Sequence, residues 1–264
     1  MKKIAIFLAS NSTSLMHRNP LFLPFLALVF SASACKTSYQ PGAVQYLDYR
    51  INSKEKADSG LLTLLRPYSD SLNKTMNDVI AVAGVELVKK QPEGTLNNVL
   101  ADAMLVIGQE KFKTTIDAAF LNYGGVRLNV LPAGNITRSK VFEVAPFDNV
   151  IVLQRMTGTI LQQFLDMVAI RGGWPCSGIS FQIKNKKAIN IKIGNKPVDA
   201  ATEYTIALLD YVANGGEDFA FLKNIPQQNN GDLFRDAVLS YFSRFQKEGK
   251  QVTAKIENRI TNAE

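Results

Sequence analysis

The run DAAFLNY at 117–123 narrows the possible folds more than any other stretch of this 264-residue chain. Ala118, Ala119, Phe120 and Leu121 follow one another without a polar interruption, and a strand of that kind needs cover on both faces. It reads as a central strand. Further strands are expected at DVIAVAGVEL (78–87), VIVLQRM (150–156), GISFQIKN, AINIKIG and EYTIALLDYVA. In AINIKIG the alternation of Ile189, Ile191 and Ile193 implies one solvated face. Between these runs, GTLNNVLADAMLVIGQEKF places Leu96, Val99, Leu100, Ala103, Met104 and Ile107 at helical spacing from near Thr95. TRSKVFEVAPF (137–147) reads as a short helix capped by Thr137 or Ser139 and stopped before Pro146. TGTILQQFLDMVAIRGG reads as a helix from Thr157 or Thr159 to Gly172-Gly173. A helical pattern from Ser53 carries Leu61, Leu62, Leu64, Leu65 and Leu72, and Pro67 is expected to bend or split it. GDLFRDAVLSYFSRFQKEG closes the series as an amphipathic helix. Strands and helices mix without a strict alternating rhythm. The fold class is therefore α+β, a mixed β-sheet flanked by helices, in a single domain over 53–264.

The N-terminus belongs to no such domain. Lys2, Lys3 and Arg18 precede LFLPFLALVF at 21–30, and SASAC follows, which is the order of a signal peptide. Ten apolar residues are too few for a permanent span, which needs about 20. Ala32-Ser33-Ala34-Cys35 resembles a bacterial lipobox, which makes 1–34 the leader, Cys35 the lipidated residue and 35–52 a tether. Translation from Met16 would give a leader of more ordinary length. The expected location is extracytoplasmic, anchored to the bacterial envelope, and Lys36 after Cys35 points to the outer membrane by analogy with other lipoproteins.

Composition then removes whole classes of chemistry. The only histidine, His17, goes with the leader, so the mature chain offers no Ser-His-Asp triad, Cys-His pair or histidine metal ligand. Cys176 is then the one cysteine besides Cys35, which leaves no disulfide framework or CxxC site. The leader also holds three of the 30 Lys and Arg and no acid, so 27 basic residues face 23 acidic ones, a net +4. No basic stripe interleaves with aromatics, and no nucleic-acid polymer is expected as a partner.

Three loops carry what chemistry remains. The first runs from Asn122 through Tyr123, Gly124, Gly125 and Val126 to Arg127. Its glycines suit either a plain turn or a backbone cradle that admits positive φ and a close ligand, with the arginine placed to engage an anion. The second is APFDN (145–149), where Phe147 is a core residue or an exposed ring. The third is LLDYVANGGEDFAFL (208–222), with Tyr211, Asn214, Gly215, Gly216, Glu217 and Asp218. Its acids could simply complement the first turn of a helix.

Taken in order and spacing, NYGGVR, ITRSKVFEVAPFDN, SGISF and YTIALLDYVANGGEDF resemble the C-terminal domain of the 5'-nucleotidase family of secreted and periplasmic metallophosphatases. GTLNNVLADAM is similar to that domain's opening helix, and the resemblance covers roughly 50–262. It implies a nucleotide or nucleoside ligand whose base lies between the rings of Phe147 and Tyr211. It implies polar contacts from Asn122 and Arg127, backbone approach at Gly124 and Gly125, and the NGG turn at Asn214. Ribose contact falls to Glu217 or Asp218, between which the sequence does not choose. Lys90 matches an additional upstream arginine of the family, and Asn97 stands where a glycine is usual.

The family's hydrolytic domain, with its two metals and His-Asp pair, has no counterpart in the leader and tether. The resemblance therefore implies no catalytic residue and no cofactor in this chain, with divalent metals expected only in a separate metallophosphatase partner. Three roles remain open: the nucleotide-binding part of a split 5'-nucleotidase, a stand-alone nucleotide-binding lipoprotein, and an interaction scaffold.

Overall fold

The computed structural model describes residues 56–264. The leader, Cys35 and the tether lie outside the described residues. In chain order the elements are α1 (Ser59–Met76), β1 (Val79–Ala83), β2 (Leu87–Val88), α2 (Thr95–Phe112), β3 (Ala118–Phe120), β4 (Val130–Leu131) and β5 (Gly134–Thr137). Then come α3 (Arg138–Val144), β6 (Val150–Thr157), α4 (Gly158–Ile170), β7 (Cys176–Ser177), β8 (Ile179–Lys184), β9 (Lys187–Ile193) and β10 (Lys196–Pro197). The chain closes with β11 (Glu203–Leu209), α5 (Asp210–Ala213), β12 (Gln227–Leu233), α6 (Phe234–Lys247) and β13 (Ile260–Asn262).

A five-stranded sheet in the order β12-β6-β11-β3-β7 forms the centre. It is mixed, because β11 pairs with β3 in parallel and with β6 antiparallel. Successive residues of its inner strands feed opposite cores, as a period of two requires. Ala119, Leu121, Ile151, Leu153, Ala207 and Leu209 pack with α2 and α6. Ala118, Phe120, Val152, Met156, Ile206 and Leu208 pack with α4 and the ring cluster around Trp174. The uniform apolarity of 118–121 follows from this two-sided burial, and the α+β reading holds. A four-stranded sheet, β10-β9-β8-β13, lies beside α4, and two small ladders, β1-β5 and β2-β4, complete the described part.

Several elements depart from the expected ones for definable reasons. The 78–87 run is two strands, since β1 pairs with β5 and β2 with β4. α1 continues through Pro67; the carbonyl its missing N–H leaves unpaired lies on an exposed helix, where water can satisfy it. None of its side chains is buried among the described residues, so Leu61, Leu62, Leu64, Leu65, Tyr68 and Leu72 all face outward. In β9 a bulge opposite Ser180–Gln182, with Asn190 at φ 53°, shifts the phase. Ala188 and Ile191 are consequently the buried pair, and Ile189 and Ile193 are only half-buried. The polar stretch QQNNGDL forms β12, an edge strand, and α6 starts at Phe234 instead of within it. α2 is buried beyond its expected stripe, with Asn97, Asn98 and Ala101 also inside. Asn98 Nδ2 donates to Glu93 Oε1 at 2.6 Å, and Asn97 Nδ2 donates to Lys90 O at 2.8 Å.

Candidate functional site

Strand direction explains why three loops far apart in sequence meet. β3 and β11 are parallel neighbours, so their C-terminal ends lie together, and antiparallel β6 begins at that same end. The Asn122 loop leaves β3, the Tyr211 loop leaves β11, and the Phe147 loop enters β6. They enclose a cleft of about 380 Å³. Of the expected residues, Asn122, Gly124, Gly125, Arg127, Phe147, Tyr211 and Glu217 line it. A larger groove of about 530 Å³ over β8 and β9 has neither a carboxylate nor an exposed ring in its lining, so size alone does not mark the better site.

Phe147 and Tyr211 are each 48% exposed, which is unusual for rings in a sequence so rich in buried ones. Tyr211 rests on the backbone of Gly216. A β-carbon there would stand 2.5 Å from its Cζ and 2.6 Å from its carbonyl oxygen, so any larger residue would displace the ring. The glycines of the first loop play a different part from the one expected. Neither Gly124 nor Gly125 has positive φ; Gly125 instead makes room for Asn122, whose Oδ1 would be 2.7 Å from an added β-carbon.

The two acids separate cleanly. Glu217 and Asp218 both adopt left-handed backbone, at φ 56° and 65°, a conformation that is uncommon for residues other than glycine. Arg171 Nη2 donates to Glu217 O at 2.5 Å and to Asp218 Oδ2 at 3.0 Å. Asp218 is thereby drawn out to solvent and lies outside the cleft lining. The Glu217 side chain turns inward, where Asn122 Nδ2 donates to its Oε1 at 3.0 Å. Asn122 is 5% exposed, and its Oδ1 has no partner. Asn214 also stays out of the lining, accepting through Oδ1 from Gln227 Nε2 at 3.1 Å.

Positive charge gathers at one end. Arg127 has no carboxylate partner among the described residues; its Nη1 approaches Gly124 O at 3.4 Å, and its Cζ lies 5.8 Å from the Phe147 ring centroid. Lys89 Nζ donates to Val126 O at 2.8 Å and stands 4.0 Å over the Tyr123 ring. Its pKa is lowered, first by burial and then by the charge of Arg127. Neither Lys89 nor Lys90 is part of the cleft lining, and Lys89 is the one that stands close to Arg127. Asn149 is a lining residue that sequence reading missed. Its position two residues after Phe147 was the available signal, because extended chain returns to one side with that period.

The remaining chemistry is quiet. Cys176 is buried and its thiol is pushed up to about 12 by that burial, so it stays protonated at neutral pH. Among the described residues no three His, Cys, Asp or Glu side chains gather as a metal-holding group, so the two-metal centre of the family's hydrolytic domain does not fit them.

Comparison with known proteins agrees with the fold. The family described as "5'-nucleotidase, C-terminal domain" matches residues 74–224. The 5'-nucleotidase of Vibrio vulnificus (strain CMCP6) is 32% identical over 203 residues, 73% of this chain and 35% of that protein. The protein UshA of Escherichia coli (strain K12) is 32% identical over 146 residues, 53% of this chain and 26% of its own length. The crystal structure of a 5'-nucleotidase precursor from Thermus thermophilus superposes with a TM-score of 0.66 at 26% identity, covering 76% of this chain and 42% of the other. This chain spans about a third of the curated relatives it matches. With more than half of its residues inside the matched region, the chain belongs to the family of 5'-nucleotidase C-terminal domains.

Proposed function

We propose that the chain is the nucleotide-binding part of a split 5'-nucleotidase, lipid-anchored through Cys35 outside the cytoplasm, and that a separate metallophosphatase chain supplies hydrolysis. The observation that carries this reading is the makeup of the cleft. Two half-exposed rings, an inward carboxylate hydrogen-bonded to Asn122, and Arg127, without a carboxylate partner among the described residues, line one space, and Lys89 stands beside it on the carbonyl of Val126. Phe147 and Tyr211 stack on the base, a contact that tolerates different bases. Asn149, able to donate and accept, meets a base edge. Glu217 accepts from the ribose hydroxyls. Lys89 and Arg127 hold the phosphate, with the arginine offering paired donors. The lack of histidine in the mature sequence supports a partner for catalysis, and α1 offers such a partner an apolar face uncovered among the described residues.

The test is hydrolysis of adenosine 5'-monophosphate (AMP) by the purified chain with added divalent metal, alone and with a metallophosphatase chain that lacks this domain. Turnover only in the mixture is expected, and robust turnover by the chain alone would refute the split arrangement. Because every lining group comes from this one chain, a stand-alone capture protein is the second reading. Tight AMP binding with no gain in any mixture would select it.

Lys89 gives the site a pH signature. A bound phosphate favours the ammonium form, so Lys89 contributes to affinity below its pKa and loses that contribution as pH rises through it. Since its pKa is lowered from 10.5, the alkaline loss of AMP affinity begins below the range of an ordinary lysine. Titration calorimetry across pH 7 to 10 on the unaltered protein and on Lys89→Met checks this; the fall-off is absent in the variant.

A further inference from the structure

The residues around Phe147 are tethered by groups that never touch the cleft. Arg235, in α6, is 9% exposed. Its Nη1 donates to Pro146 O at 3.1 Å and its Nη2 to Asp148 Oδ1 at 2.5 Å, so one guanidinium holds the residues on both sides of the ring. Its other face lies against Phe142 of α3, 4.2 Å from that centroid. The next residues are tied as well: Phe234 N–H donates to Asn149 O at 3.0 Å, and Val150 N–H donates to Asp210 Oδ1 at 3.1 Å. Asp210 immediately precedes Tyr211. Both rings therefore hang from one hydrogen-bonded frame, while the rings themselves project into the cleft.

Burying a guanidinium is costly, and an apolar side chain of similar volume would pack against Phe142 without that cost. What the charge adds is direction: paired donors fix both backbone neighbours of Phe147 in one arrangement. A ring on a loop that had to be ordered on binding would lose part of its stacking energy to that ordering, and a pre-set ring does not.

We propose that Arg235, acting through Pro146 and Asp148, and Asp210, acting through Val150, are positioning residues that set the gap between the Phe147 and Tyr211 rings before ligand arrives. The inference rests on reading the cleft as a nucleotide site. It predicts an effect selective for the base. Arg235→Met keeps aliphatic bulk against Phe142 and removes the tether. By titration calorimetry it is expected to weaken AMP about tenfold and ribose 5-phosphate less than twofold, because ring spacing matters only to a ligand with a base. Asp148→Asn alters a side chain that is 78% exposed and should fold normally. It is expected to weaken AMP about threefold with ribose 5-phosphate unchanged, and the double variant should be no weaker than Arg235→Met alone. Equal loss for both ligands, or unchanged AMP affinity, would overturn the inference; if Arg235→Met does not fold, Asp148→Asn alone decides. Failure of the unaltered protein to bind either ligand would instead overturn the cleft assignment itself, a distinct result.

Discussion

Replacing both Phe147 and Tyr211 by alanine is expected to weaken AMP binding about a hundredfold or more while barely moving the unfolding temperature. Each stacked ring contributes about 1–3 kcal/mol on truncation, and about 2.7 kcal/mol is a hundredfold in affinity. Both rings are half-exposed, so their removal opens no core cavity and sacrifices little burial. Paired calorimetric titration and thermal melting separate the two effects. Unchanged affinity would remove the rings from the site and favour an interaction scaffold. A large drop in melting temperature would mean the rings serve the fold.

Phe164→Ala is expected to act in the opposite sense, destabilising the domain by about 3–5 kcal/mol, the usual cost of emptying a buried phenylalanine site. Phe164 is fully buried and packs edge-on to Phe120 at 5.0 Å and to Trp174 at 6.0 Å, with Phe219 at 5.1 Å. Such ring pairs are worth more than their area alone, and no neighbour on a strand can move to refill the space. Trp174 is the only tryptophan of the chain and is buried beside the lost ring, so its fluorescence follows unfolding in urea directly. The midpoint should fall with the slope preserved. An unchanged midpoint would show that the cluster collapses around the gap without cost. Phe219 also contacts this cluster and directly follows Asp218, which places the site loop on the same core.

Much of the domain was readable because its elements bury apolar residues with a strong period. The helices at Thr95 and Thr157 and the strands at 118–120, 150–157 and 203–209 all declare themselves this way. Thr157 and Thr137 accept from the N–H three residues on, as N-caps do. β12 was invisible for the opposite reason, since an exposed polar edge strand has no apolar pattern to show. Pro67 does not split its helix, because on an exposed helix water can satisfy the carbonyl it frees. In the site, glycine and aromatic residues marked the loops, but roles within a loop were not legible. Glu217 and Asp218 are adjacent and chemically alike, and only Arg171, nearly fifty residues upstream, tells them apart.

By itself, the sequence established an α+β domain with a doubly covered central strand, three strand-end loops marked by glycine and aromatic residues, and no histidine beyond His17. These follow from composition and from periods of two and nearly four, which are local properties of a chain. The tertiary structure alone decided that the three loops share one cleft, that Glu217 faces it and Asp218 does not, and that Arg235 braces Phe147 from outside. Each of these depends on strand order and direction, which bring residues up to 95 positions apart into hydrogen-bond range, and no local pattern records that distance.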